Sequence, residues 1–111
     1  MSDVVVVLVT APSAEVADRI ASGVVEARLA ACVAVLPGVQ SVYRWQGVVE
    51  RADEIQLVIK TARDRVDALR GLITSLHPYT VPELLVLPVV DGLPAYLAWV
   101  VAETRPGADT P

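Results

Sequence analysis

The chain has 111 residues, with 9 Lys+Arg against 13 Asp+Glu and a formal net charge of −4. That length fits one domain, and a pI near 4.8 speaks against a nucleic-acid partner, which normally meets a basic face. Apolar residues make up 54% of the chain, too many for a disordered polymer, yet no apolar run exceeds the eight residues of 29–36, far short of the ~20 that span a bilayer.

A single cysteine, Cys32, rules out an intramolecular disulfide, and the start Met1-Ser2-Asp3 has no basic stretch of the secretory kind. Both point to a reducing, cytoplasmic protein. The excess of apolar residues, 22 of them Val, needs more surface to hide in than one small domain offers. Sheet interiors and a subunit interface are the two outlets.

Residues 4–9 are a continuous β-branched run and predict a central strand buried on both faces. Ser13 after Pro12 is a helix N-cap. Val16, Ala17, Ile20, Ala21, Val24 and Ala27 then recur at helical spacing, and Glu15 and Arg19 sit one turn apart as an ion pair. Residues 31–45 predict a long strand bent at Pro37-Gly38, where proline cannot donate to a ladder. Gln46-Gly47 is a turn, and residues 48–61 return as its partner, with Ile55, Leu57 and Ile59 on one face and Glu54, Gln56 and Lys60 on the other. A second helix spans 64–76, carries Gly71 in its interior and stops at His77-Pro78. Residues 84–90 predict a fourth strand, Asp91-Gly92 a turn, and 95–104 a short helix led by Pro94.

The order is βαββαβ with an extra C-terminal helix, an α+β chain of the ferredoxin-like kind with both main helices on one face of the sheet. The domain covers 1–104 and residues 105–111 form a loose tail. The hairpin arms, about 14 residues at ~3.3 Å each, reach roughly 45 Å, whereas a compact domain of this length has a radius of gyration of about 13 Å. An overhanging ribbon with free edges invites a second chain.

Several motifs recur together in the known CutA family of divalent-cation tolerance proteins. They are Val-Leu-Val-Thr-Ala-Pro (7–12), Ala-Arg-Leu-Ala-Ala-Cys-Val (27–33), Ser-Val-Tyr-Arg-Trp-Gln-Gly (41–47), Ile-Lys-Thr (59–61), Leu-His-Pro-Tyr (76–79), Val-Pro-Glu-Leu (81–84) and Asp-Gly-Leu-Pro-Ala-Tyr-Leu-Ala-Trp (91–99). The chain resembles that family over residues 4 to about 104. The resemblance implies a tight homotrimer of architecture similar to the PII signalling proteins, with long hairpins pairing between neighbours. It implies a link to copper and other divalent ions and no settled enzymatic reaction, while charge and hydropathy leave no nucleic-acid and no membrane partner expected. Some relatives carry a Cys and a second His assigned to copper where this chain has Val9 and Leu76, and Ala34, Gln46, Val48 and Thr80 also replace commoner polar or charged residues.

Each candidate residue has a plain reading beside the functional one. Cys32 lies in an apolar strand and reads as a small core residue or, by the resemblance, as part of a cleft between subunits with Lys60 and Glu83. Lys60 and Glu83 otherwise read as solvated strand ends or ion-paired groups. His77 either ends the helix or ligates a metal, with help from Glu83, Cys32, water or a neighbour; no obligatory cofactor is expected, only weak Cu(II) or another divalent ion. Tyr43, Arg44 and Trp45 at the hairpin tip predict intersubunit packing. The functional expectation is a non-enzymatic trimer that binds ions or a small ligand. An enzyme using Cys32, Lys60, Glu83 or His77 in the same cleft, and a structural trimer whose ligand site has decayed, are the alternatives.

Overall fold

A computed structural model describes residues 2–106. The elements run β1 (Val4–Ala11), α1 (Ala14–Glu26), β2 (Cys32–Trp45), β3 (Val48–Ala62), α2 (Val66–Leu76), β4 (Leu85–Pro88) and α3 (Pro94–Glu103), with a single 3-10 turn, Arg63–Arg65, leading into α2. The sheet order is β2-β3-β1-β4, and every neighbouring pair is antiparallel. This is the expected ferredoxin-like arrangement.

Local chemistry sets the element ends. The Ser13 hydroxyl accepts from the Val16 N–H at 3.2 Å and caps α1. At the other end the Leu29 N–H reaches the Val24 carbonyl at 2.9 Å and the Arg28 N–H reaches Val25 at 3.0 Å, with Arg28 in the left-handed region at φ 58°. The strain of a non-glycine residue there is offset by its side chain, which donates to the Glu103 carbonyl at 3.0 Å and so ties the end of α1 to the end of α3.

The side-chain period of two divides β1 between two layers. Val5, Val7, Val9 and Ala11 meet Ala17, Ile20 and Val24 of α1, Leu69 and Ile73 of α2, and Leu57 and Ile59 of β3 in the main core. On the opposite face Val4 packs with Val100 of α3 in a smaller cluster. Beyond that end the face is open: Val6 and Leu8 are only half-buried. The expectation of a strand buried on both faces is therefore corrected for the single chain, because α3 is too short to cover more than one end.

The hairpin is long, as expected. Pairing of β3 with β1 ends at Ala11 and Ile55, while its pairing with β2 runs on to Trp45 and Val48. Pro37 and Gly38 together stand opposite Ile55, a bulge at the point where the ribbon leaves the sheet, and Gly38 takes φ 80°. At the tip Gln46 and Gly47 both have positive φ, 50° and 81°, the two-residue turn whose twist suits a hairpin. The ribbon stretches the molecule to 49 × 30 × 23 Å.

Three boundaries differ from the sequence expectation. α2 begins at Val66 because residues 63–65 form the 3-10 turn. β4 keeps only four residues, all exposed, since it is an edge strand with one partner. Arg105, expected in the tail, is held by the Asp64 carboxylate at 2.6 and 2.7 Å and donates to the Val101 carbonyl at 3.0 Å. That fork holds the Asp64 carboxyl below the ordinary carboxylate range, so its contribution to stability is full above that range and fades as pH falls through the lowered pKa. Residues 107–111 of the expected tail lie outside the described residues.

Gly71 is exposed on α2, and a Cβ placed on it would meet nothing within 4 Å. Gly71→Ala is expected to raise stability by roughly 0.5–1 kcal/mol, the helix-propensity difference. A urea denaturation series would show it as a higher midpoint at unchanged slope.

Candidate functional site

The antiparallel register sorts the open face into rows. Leu87, Val6, Lys60 and Cys32 form one row across all four strands, and Leu85, Leu8, Val58 and Ala34 form the next. In the third, Thr10, Gln56 and Leu36 are aligned. Leu36, Leu85 and Leu87 are 44%, 54% and 45% exposed, so this is an apolar field with polar groups along its borders.

Cys32 and Lys60 are cross-strand partners on this face. Cys32 is half-buried, and its Sγ lies 3.4 Å from the Tyr96 hydroxyl, which α3 lowers over the edge of the sheet. The hydrogen bond to Cys32, with burial second, pushes the Tyr96 phenol up to about 12. The phenol thus stays protonated at neutral pH, and it shares a hydrogen bond with the sulfur in which either group can donate. Trp99, one helical turn on, stacks against Tyr96 with ring centroids 5.7 Å apart. The Lys60 ammonium makes one long hydrogen bond, 3.4 Å to the Val58 carbonyl. Thiol, phenol and ammonium therefore border one stretch of the open face.

Glu83 does not join them within one chain. Its carboxylate accepts from the Gln56 amide at 3.4 Å, and Gln56 is anchored by donating to the Val9 carbonyl at 2.9 Å. Four residues of β3 separate Gln56 from Lys60, about 13 Å of extended chain. Of the three residues expected to share a cleft, two meet and the third stands two sheet rows away, beside Gln56.

His77 is 7% exposed and both of its ring nitrogens are engaged. Nε2 donates to the Thr10 carbonyl at 2.7 Å, and Nδ1 accepts from the Tyr79 N–H at 3.2 Å, which fixes a neutral tautomer. The Tyr79 ring packs on it at 4.9 Å. Within this chain neither nitrogen is free, and the imidazole fastens the end of α2 to the end of β1. Among the described residues no three His, Cys, Asp or Glu side chains converge on one point, so one chain by itself supplies no metal cage.

Tyr43 and Trp45 lie on one face of the ribbon tip and Arg44 on the other, as the strand period requires. Tyr43 and Trp45 are 39% and 46% exposed, and Val48, opposite Trp45, is 58% exposed. Burial is the first cause that raises the pKa of both Tyr43 and Tyr79; the charges of Glu50 and then Glu54 add to it for Tyr43, and that of Glu54 for Tyr79. Glu54 itself is buried. A shallow groove of about 430 Å³ at the other end of the sheet is lined by Asp3, Arg63, Asp64 and Arg105 and holds none of the candidate residues.

The sequence assigned no site role to Tyr96, Gln56 or Glu54. The i, i+3 spacing of Tyr96 and Trp99 marks a shared helix face but not what that face meets. Gln56 and Glu54 stand in the polar half of an alternating strand and read as solvated. Among the described residues no helix is long and apolar enough to cross a membrane.

The comparisons agree with this architecture. The family model described as CutA1 divalent ion tolerance protein matches residues 5–103. A divalent-cation tolerance protein CutA of Thermus thermophilus is 48% identical over 99 residues, covering 89% of this chain and 96% of that protein. The crystal structure of CutA from Xylella fastidiosa superposes with a TM-score of 0.92 at 45% identity, over 94% of this chain and all of that one. A protein of Archaeoglobus fulgidus described as a periplasmic divalent cation tolerance protein superposes with a TM-score of 0.89 at 33% identity, over 92% of this chain and 99% of that one. Fold, motifs and matched length together make the chain a member of the CutA1 divalent ion tolerance family.

Proposed function

We propose that the chain acts in divalent-cation tolerance as a cytoplasmic, non-enzymatic homotrimer that takes an ion or a small ligand in clefts between subunits, with Cys32, Lys60 and Tyr96 on one wall. The observation that carries this reading is the open face. An apolar field of this kind on a single subunit would sit in water, and covering it with further copies removes that cost. The thiol, ammonium and phenol lie at its border, where such a cover would leave a crevice. Glu83, remote from Lys60 within the chain, joins the crevice only from a second subunit.

A thiolate suits a soft ion such as copper, and the ammonium suits a carboxylate or phosphate. With both His77 nitrogens occupied, the ion-binding role falls to Cys32. The enzymatic alternative needs a base beside Cys32, and the group in contact with it is a phenol that keeps its proton at neutral pH. A PII-like signalling role follows from the same clefts if ligand binding there moves the ribbons.

Two measurements test the proposal. Light scattering after size exclusion is expected to give about three times 11.8 kDa; a monomer at micromolar concentration would remove the clefts. Copper titration under reducing conditions should show Cys32→Ser weaker by about tenfold or more. Equal affinity in the two proteins would remove Cys32 from the site.

A further inference from the structure

The groove of about 430 Å³ at the far end of the sheet from the ribbon lies where the start of β1, the 3-10 turn and the last turn of α3 meet. Its size falls within the ~300–1,000 Å³ of small-molecule sites. Ala62 and Val101 give it apolar surface, and Asp3, Arg63, Asp64 and Arg105 give it charge.

The four charges are not equivalent. Asp64 and Arg105 satisfy each other through two hydrogen bonds of 2.6 and 2.7 Å, and Arg105 Nε is spent on the Val101 carbonyl at 3.0 Å. That fork ties the turn to α3 and fixes one wall. Asp3 and Arg63 are adjacent through the main chain, where the Arg63 N–H donates to the Asp3 carbonyl at 2.7 Å. Yet among the described residues neither side chain has a hydrogen bond or an ion pair. Both are exposed. A carboxylate and a guanidinium thus border one groove without closing on each other.

The mixture of signs selects the ligand. A bare divalent cation would meet two guanidinium groups, and a bare anion would meet two carboxylates. A molecule that carries both signs a few bonds apart is repelled by neither. Its carboxylate can take a forked pair of N–H groups from Arg63, and its ammonium can donate to Asp3. The methyl groups of Ala62 and Val101 suit a short apolar side chain on the same molecule.

We propose that this groove binds a free α-amino acid with a small apolar side chain, its carboxylate on Arg63 and its ammonium on Asp3. The site shares no residue with the crevice of Cys32, Lys60 and Tyr96 and does not depend on it.

The test is a titration of isotopically labelled protein with L-valine, followed by amide NMR shifts. Saturable shifts are expected at Asp3 and at residues 63–65, half complete at about 1 mM, the affinity of a small ligand held by two charge-assisted contacts. Acetate and methylammonium each carry only one of the two charges and should need at least about tenfold higher concentration. Arg63→Gln and Asp3→Asn alter exposed side chains, and each should weaken L-valine by about tenfold or more. Circular dichroism checks their folding; if either variant unfolds, the single-charge probes on the wild type decide. An absence of saturable shifts up to about 20 mM overturns the site. Acetate that binds as well as L-valine overturns the zwitterion in favour of a plain anion. Shifts that survive both substitutions in folded protein overturn the assignment of Arg63 and Asp3.

Discussion

Trp45→Ala is expected to weaken assembly by roughly 2–4 kcal/mol per subunit, a hundredfold loss of affinity or more at the middle of that range. Gln46 and Gly47, both in the left-handed region, hold the two arms at a fixed twist, so Trp45 is presented on a stiff support. The indole is 46% exposed beside Val48 at 58% and shares its face with Tyr43. Within one chain its loss removes only a cross-strand pair, worth up to ~1 kcal/mol. Anything beyond that must come from a second copy. The effect belongs in the concentration dependence of the mass, read by light scattering over a dilution series, and only weakly in the far-ultraviolet spectrum. An unchanged mass and melting temperature would place Trp45 outside the interface. Val42→Ala, on the other ribbon face, is a control of similar exposure and smaller size.

The backbone was legible because each element carried its own period or punctuation. Proline and glycine at 37–38 marked the bulge, Gln46-Gly47 the turn and Ser13 the cap, and all three act within a few residues of themselves. The extent of β4 was not legible. Residues 84–90 are apolar almost throughout, and only the neighbouring strand decides which of them pair. Residues 4–9 raised a related difficulty: a β-branched run reports that burial is favourable but not which layer supplies it. In the single chain the main core covers one side and α3 covers one end of the other.

The site was less legible than the fold because it is built from register and long-range contacts. That Cys32 and Lys60 face each other depends on how β2 and β3 align. That Tyr96 closes on Cys32 depends on where α3 lands, 64 residues away in sequence. The family motifs grouped Cys32, Lys60 and Glu83 in one cleft, but they could not show that within one chain Glu83 sits two rows away beside Gln56.

His77 shows the same limit and yields the second large effect. His77→Ala is expected to cost roughly 2–4 kcal/mol. It strands the Thr10 carbonyl and the Tyr79 N–H in a buried place, each worth about 1–3 kcal/mol when unpartnered, and it opens a void under the Tyr79 ring. His77→Gln is the informative companion. Its amide nitrogen can reach the position of Nε2 and keep the bond to Thr10, so it should recover part of the loss, while the Tyr79 N–H remains unpaired. Denaturation curves of the three proteins would rank wild type above Gln above Ala. The same pair of variants bears on copper. An imidazole whose two nitrogens are engaged at 2.7 and 3.2 Å must break a buried hydrogen bond to bind a metal, and that cost is subtracted from any affinity gained. Copper titration of folded His77→Gln should therefore match wild type within about threefold. A loss of copper binding in the glutamine variant, with its fold intact, would mean that the ring leaves Thr10 to take the ion and that the end of α2 is loosened by the metal.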